Sequence, residues 1–163
     1  NPVKVEDIAA VKVYVGSFAE RMCKPEEARK RPATMMDATF SLPFSVAVAL
    51  NAGRMAISDF APSALTNPDV LALADKVDGI YDPAFNWNLK LPAGKVEVVT
   101  RDGRSYTRLG EDVPGAPERP MTWDELDAKF ADCARVAVKP WADVDISAAQ
   151  AVVRRLENLS DLD

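Results

Sequence analysis

The chain has 163 residues, 48% of them hydrophobic, enough to bury one ordinary core without metals or disulfides, which argues against disorder and fibrous repeats. Its formal net charge is −5 and the two signs are interspersed, whereas a nucleic-acid platform needs a basic excess to neutralise phosphates. There is no histidine, so the chain supplies no Ser-His-Asp or Cys-His nucleophile, no His-ligated zinc and no imidazole acid or base of its own.

Cys23 and Cys133 are too few and too far apart for a CxxC site or a disulfide framework, and they fit a reducing compartment. The longest apolar stretch, 44–50, falls far short of the roughly 20 residues that cross a bilayer. Asn1-Pro2-Val3-Lys4 has no apolar signal-peptide region and no initiator Met, and reads as an interior cut from something larger. The expectation is a cytoplasmic protein with no membrane contact.

Taken in chain order, Val11-Lys12-Val13-Tyr14-Val15 alternates apolar and polar residues before Gly16 and predicts a half-buried strand, with Asp7 and Ile8 leading into it. Residues 18–31 are charge-rich, with Lys24-Pro25-Glu26-Glu27 among them, and read as a solvent-facing excursion or short helix. Ser41 near a cap position, Pro43 in a first turn and Gly53 as a left-handed terminator predict a helix over about 43–52. Phe44, Val46, Ala47, Val48, Ala49 and Leu50 make that helix apolar nearly all round, so it should be covered on more than one side.

Asn67-Pro68-Asp69 supplies a cap, a first-turn proline and an N-terminal acid for a helix through Val70, Leu71, Leu73, Ala74 and Val77, with a short strand available over 77–82. A loop over 83–92 offers Phe85 and Trp87 to a neighbouring surface. Asp102-Gly103 between the β-prone runs 95–100 and 105–109 predicts a hairpin with a two-residue turn. Pro114, Gly115, Pro117 and Pro120 stiffen a surface connection over 111–120. Thr122 and Glu125 form a capping box that starts a helix with Leu126, Phe130 and Cys133 on its apolar face. A last helix over about 147–158 aligns Ala148, Val152, Leu156 and Leu159, with Arg154 and Arg155 off the stripe. Strands and helices that do not alternate regularly, with a hairpin among them, define an α+β two-layer sandwich whose sheet is mostly antiparallel, in a single domain over 1–163.

Neither GxGxxG, GxxxxGK[ST] nor GxSxG occurs, so no dinucleotide loop, P-loop or nucleophile elbow can be argued. Asp37, Asp59, Asp102 and the Glu26-Glu27 pair are candidate acids without a partner at fixed spacing. Cys23 and Cys133 lack an activating neighbour and read as inert thiols. Lys90, Lys95 and Lys129 are candidate carboxylate binders whose simpler role is a solvated surface.

The order and spacing of several segments carry the reading further. They are Pro32-Ala-Thr-Met-Met-Asp-Ala-Thr-Phe-Ser-Leu-Pro-Phe-Ser-Val-Ala-Val-Ala-Leu with Gly53 after it, Asn67-Pro68-Asp69-Val70, the Asp102-Gly103 hairpin, Gly115-Ala-Pro-Glu-Arg-Pro120-Met-Thr-Trp-Asp-Glu-Leu to Lys129-Phe130, and Leu156-Glu157-Asn-Leu159. In that order they resemble the C-terminal domain of the MmgE/PrpD family, which includes 2-methylcitrate dehydratase, cis-aconitate decarboxylase and iminodisuccinate epimerase. The resemblance implies a larger enzyme, a dimer or other homo-oligomer acting in propionate metabolism or a related route, in which an all-helical domain precedes this one and this domain covers a cleft as a lid. It implies a small polycarboxylate substrate, proton abstraction next to a carboxylate, no cofactor, no metal, and neither nucleic acid nor membrane as partner. The basic residues of such enzymes lie in the helical domain and in a Lys…Pro…His-type stretch ahead of this chain's start, so the chain by itself is expected to be inactive and, cut from its base, to self-associate.

Where many relatives have Ser-x-Pro-Tyr, this chain has Ser41-Leu42-Pro43-Phe44, and a phenyl ring donates no hydrogen bond. The resemblance makes Ser41 and Phe44 the substrate-binding candidates, with a helix cap and a core position as their competing roles. The other class of function open to the sequence is a free-standing binding or oligomerisation module that keeps the lid fold without catalysis.

Overall fold

Strand β1 (Ile8–Val15) turns Ile8, Val11, Val13 and Val15 into the core. Val11, Val13 and Val15 follow the two-residue period of a pleated strand. Ile8 and Val11 both face inward across two intervening residues, and the register shift between Ile8 and Ala10 is the bulge that makes this possible. A computed structural model describes residues 3–87, 93–110 and 113–158. They fall into two units, 1–113 and 114–163.

In the first unit β1 lies between β2 (Val77–Tyr81) and β3 (Gly94–Thr100), and β4 (Ser105–Gly110) follows β3, giving the order β2-β1-β3-β4. The β1–β3 and β3–β4 pairs are antiparallel. The β1–β2 pair is parallel, so the sheet is mixed rather than purely antiparallel. The reason lies in the connection: a parallel neighbour needs a long crossover, and residues 17–74 supply it as five helices. These are α1 (Ser17–Glu20), α2 (Glu26–Lys30), α3 (Met35–Thr39), α4 (Leu42–Ala52) and α5 (Pro68–Ala74). The charged excursion over 18–31 thus contains two short helices.

Helix α4 begins and ends where its local chemistry dictates. Ser41 caps it, Pro43 occupies the first turn, and Gly53 closes it at φ +70° in the left-handed region that penalises a side chain. Pro43, Phe44, Ala47 and Val48 are buried, Val46 and Leu50 lie against the core, and α4 meets α2, α3, α5 and β2. The helix is covered on several sides, as its composition requires. Helix α5 has its Asn67 cap, with the side-chain oxygen accepting from Asp69 N at 3.0 Å. It stops at Ala74, and Val77 belongs to β2, where it sits beside Val11 in the core. Val70, Leu73 and Ala74 from α5 and Val96 and Val98 from β3 complete that core, giving an α+β arrangement of helices on one face of a sheet.

Three local features differ from the simplest reading or sharpen it. The hairpin loop has three residues, since Gly103 N donates to Thr100 O and Thr100 N to Arg104 O, both at 2.9 Å, and Gly103 adopts φ +83°. Gly16 lets the chain pass so close to Phe85 that a Cβ there would lie 2.1 Å from the Phe85 carbonyl oxygen. Trp87 stands edge-on to Phe18, with ring centroids 6.2 Å apart.

The second unit contains α6 (Trp123–Arg135) and α7 (Asp143–Val153). The capping box is present: Thr122 N donates to Glu125 Oε2 at 2.8 Å and Glu125 N to Thr122 Oγ1 at 3.2 Å. The apolar stripes expected from the sequence are not the buried ones. Leu126, Phe130 and Cys133 are exposed, and the buried residues of α6 are Ala131 and Ala134, which meet Ile146 of α7. That stripe lies one residue, about 100°, round the helix, where alanines let two helices approach closely. Likewise α7 starts at Asp143 and ends at Val153, with Ala148, Val152 and Leu156 exposed, and Leu159 lies outside the described residues. Gln150 Nε2 donates to Asp127 O at 2.9 Å, and Phe130 and Trp141 stand edge to face at 5.9 Å.

Candidate functional site

Ser41 and Phe44 follow α3 and open α4, at the centre of the segment 32–53. Ser41 is fully buried. Its Oγ accepts from Phe44 N at 3.1 Å and donates to Arg29 O, so the hydroxyl ties the start of α4 to α2. Phe44 is also fully buried, its ring 6.1 Å from that of Phe60. Within this chain both residues are part of the interior.

The segment presents several large apolar side chains outward, among exposed Thr34, Asp37, Thr39 and Asn51. Met35, Met36 and Phe40 are exposed on or beside α3, and Met55 and Ile57 are exposed at the 3-10 turn Ile57–Phe60, which meets α3. Next to them is a hollow of about 400 Å³ lined by Pro32, Ala33, Thr34, Met35, Pro62, Leu65 and Thr66. Its two hydroxyls are used locally: Thr34 Oγ1 donates to Asp37 Oδ2 at 2.7 Å and Thr66 Oγ1 to Ser63 O at 3.2 Å. A hollow without a charged side chain suits apolar matter better than a polycarboxylate.

A second hollow of about 380 Å³ has the opposite character. Lys76, Arg101 and Asn51 line it together with Glu6 and Asp69 over a floor that includes Leu73. Lys76 Nζ donates to Ile8 O at 2.7 Å, so its ammonium is already engaged with the backbone. Here cations and an amide capable of meeting a carboxylate are present, offset by two acids.

The acids singled out in the sequence are spent on the fold. Asp37 N donates to Thr34 Oγ1 at 3.1 Å in the cap of α3, and Asp59 accepts from Ala56 N at 2.8 Å. Asp102 accepts from Arg104 Nε at 2.8 Å and from Thr100 Oγ1 at 2.6 Å, and these bonds, that to Arg104 foremost, hold its carboxyl far below the usual range. Glu26 and Glu27 open α2, where negative charge favours the helix. Burial pushes the Cys23 thiol up, which keeps it protonated and unreactive, while Cys133 is exposed. Lys95 Nζ sits 4.0 Å above the Tyr14 ring, Lys129 is exposed on α6, and Lys90 lies outside the described residues. Among the described residues no group of three or more His, Cys, Asp and Glu converges as a metal site.

One polar cluster escaped the sequence reading. On the sheet face opposite the core, Glu97 accepts from Tyr14 Oη at 2.7 Å and Ser105 Oγ at 2.9 Å, and Lys12 Nζ lies 3.5 Å away. The hydrogen bond with Tyr14 lowers the Glu97 carboxyl and raises the Tyr14 phenol, in each case the first of the causes. The signal was available in the alternation that sets Lys12 and Tyr14 on one face and in the pairing of Lys12 with Glu97 across the β1–β3 ladder. It was missed because strand pairing across about eighty residues is not written locally.

Fold and site together define an α+β domain in which helices cover one face of a mixed sheet, with Asp37, Asp59 and Asp102 bonded in local caps and turns. Residues 1–154 match the MmgE/PrpD C-terminal domain, so the chain belongs to the MmgE/PrpD family through that domain. No curated protein matched the chain. Among the described residues no helix is long and apolar enough to cross a membrane.

Proposed function

We propose that the chain is the C-terminal part of a cytoplasmic lyase or epimerase that removes a proton next to a carboxylate of a small di- or tricarboxylate such as 2-methylcitrate. The family match over 154 of the 163 residues carries this reading. The chemistry needs a base, a proton donor and cations for the substrate carboxylates. A chain without histidine, whose candidate acids are tied into caps and turns, suits a covering role, with the base supplied by a separate helical domain. In this reading Ser41 and Phe44 serve the substrate from behind, by fixing where α3 and α4 stand, and the outward side chains of the same segment include Met36 and Phe40.

The test is to assay the purified chain on 2-methylcitrate, cis-aconitate and iminodisuccinate, alone and with an all-helical domain of the family added as a second polypeptide. Turnover is expected only in the mixture. Turnover by the chain alone would overturn the division of labour, and none on any of the three substrates in the mixture would overturn the assigned chemistry.

A further inference from the structure

Among the described residues β4 pairs on one side only, with β3, and its other edge has the properties of a self-pairing surface. All six residues of β4 are exposed, its register with β3 runs unbroken from Gly94↔Gly110 to Val99↔Ser105, and of the usual guards of an edge strand it has neither proline nor bulge and a single charge, Arg108. The bond from Thr100 N to Arg104 O fixes the phase of the ladder. Antiparallel pairs alternate, so Tyr106, Arg108 and Gly110 turn their backbone groups toward β3, while Ser105, Thr107 and Leu109 turn theirs outward. The side chains divide as well, with Tyr106 and Arg108 on one face and Ser105, Thr107 and Leu109 on the other.

We propose that β4 pairs antiparallel with β4 of a second copy of this chain about a two-fold axis at Thr107, joining two four-stranded sheets into one of eight strands. Only a register that keeps each sheet face continuous and matches outward groups with outward groups can form. Centring on Thr107 meets both conditions over the strand's length: Thr107 faces Thr107 of the second copy, Ser105 faces its Leu109, and Tyr106 faces its Arg108. The last pairing occurs twice and sets a guanidinium beside an aromatic ring. Threonine opposite threonine is also a favourable cross-strand pair. A register centred on Arg108 sets two like charges opposite one another, and one centred on Tyr106 overlaps only 105–107. Two six-residue strands bury less than the roughly 1,200 Å² of a stable interface, so the association is weak and concentration-dependent.

Sedimentation of the 163-residue chain over a concentration series, with Thr107→Lys and Thr107→Glu variants, tests this. Both substitutions lie on an exposed edge, and circular dichroism checks that each variant folds. The wild type is expected to show a monomer–dimer equilibrium, each variant alone to dissociate at least about tenfold more readily, and an equal mixture of the two to dimerise again, because Lys then faces Glu. A monomeric wild type throughout, or self-association that neither variant weakens, would overturn the proposal. So would a mixture no stronger than its components. A second readout needs no variant: in the wild type the amides of Ser105, Thr107 and Leu109 should exchange more slowly as concentration rises, while those of Tyr106 and Arg108 are protected throughout. Association without that pattern would place the interface elsewhere.

Discussion

Ser41 carries the hydroxyl of the motif, and its hydrogen bonds lie within the chain. One hydroxyl offers one donor and its lone pairs, and here the donor goes to Arg29 O while the oxygen accepts from Phe44 N. A fully buried hydroxyl so engaged sets the angle at which α4 leaves the chain. Phe44 stands three residues on with its ring in the core beside Phe60. Phe44→Tyr is therefore expected to bury a hydroxyl without a partner, at about 1–3 kcal/mol of stability, and to leave kcat/KM unchanged on every polycarboxylate tested in the assembled enzyme. Thermal melting and steady-state kinetics on the same preparations check this. A substrate-selective change in kcat/KM at constant melting temperature would instead place residue 44 at the substrate.

At the scale of elements, caps were legible and faces were not always so. Ser41, Gly53, Asn67 and the Thr122–Glu125 box sit where the sequence expects them, because a cap is made by side chains within three or four residues of the backbone groups they satisfy. The buried face of α6 depends on the helix that meets it, and Ala131 and Ala134 won over the larger Leu126 and Phe130. The sheet has a face of its own chemistry in Tyr14, Lys12, Glu97 and Ser105. Because folding lowers the Glu97 carboxyl, its contribution to stability is present above the ordinary glutamate range and is lost as pH falls through the lowered folded value. Tyr14 behaves oppositely: its raised phenol contributes below the ordinary tyrosine range and the contribution is lost in stronger alkali. Melting curves of wild type and Glu97→Gln should differ near neutral pH, with the wild type more stable, and converge in acid. A constant gap across the acid range would show that the carboxylate charge plays no part in holding this face.

For the whole molecule, the two units differ in how much core each holds. Residues 1–113 enclose β1, β2, α4 and α5 around Ile8, Val11, Phe44, Val48, Leu73 and Val77, whereas among the described residues of the second unit the buried cluster is Ala131, Ala134 and Ile146. A polypeptide of residues 1–113 is therefore expected to unfold cooperatively in calorimetry, and one of residues 114–163 to show only a broad, weakly helical transition, since so small a core cannot offset chain entropy. A sharp transition in the shorter fragment, or none in the longer, would reverse that assignment. The sequence alone determined the α+β class, the hairpin at Asp102-Gly103, the caps and the family resemblance, since each rests on side chains and backbone close together in the chain or on the order of short segments. Tertiary structure alone decided that β2 runs parallel to β1, that Glu97 gathers Tyr14 and Lys12, that Ser41 and Phe44 lie inside, and which stripe of α6 is buried. Those outcomes depend on which distant segments compete for the same apolar surface and the same hydrogen bonds, a choice made only when the chain closes on itself.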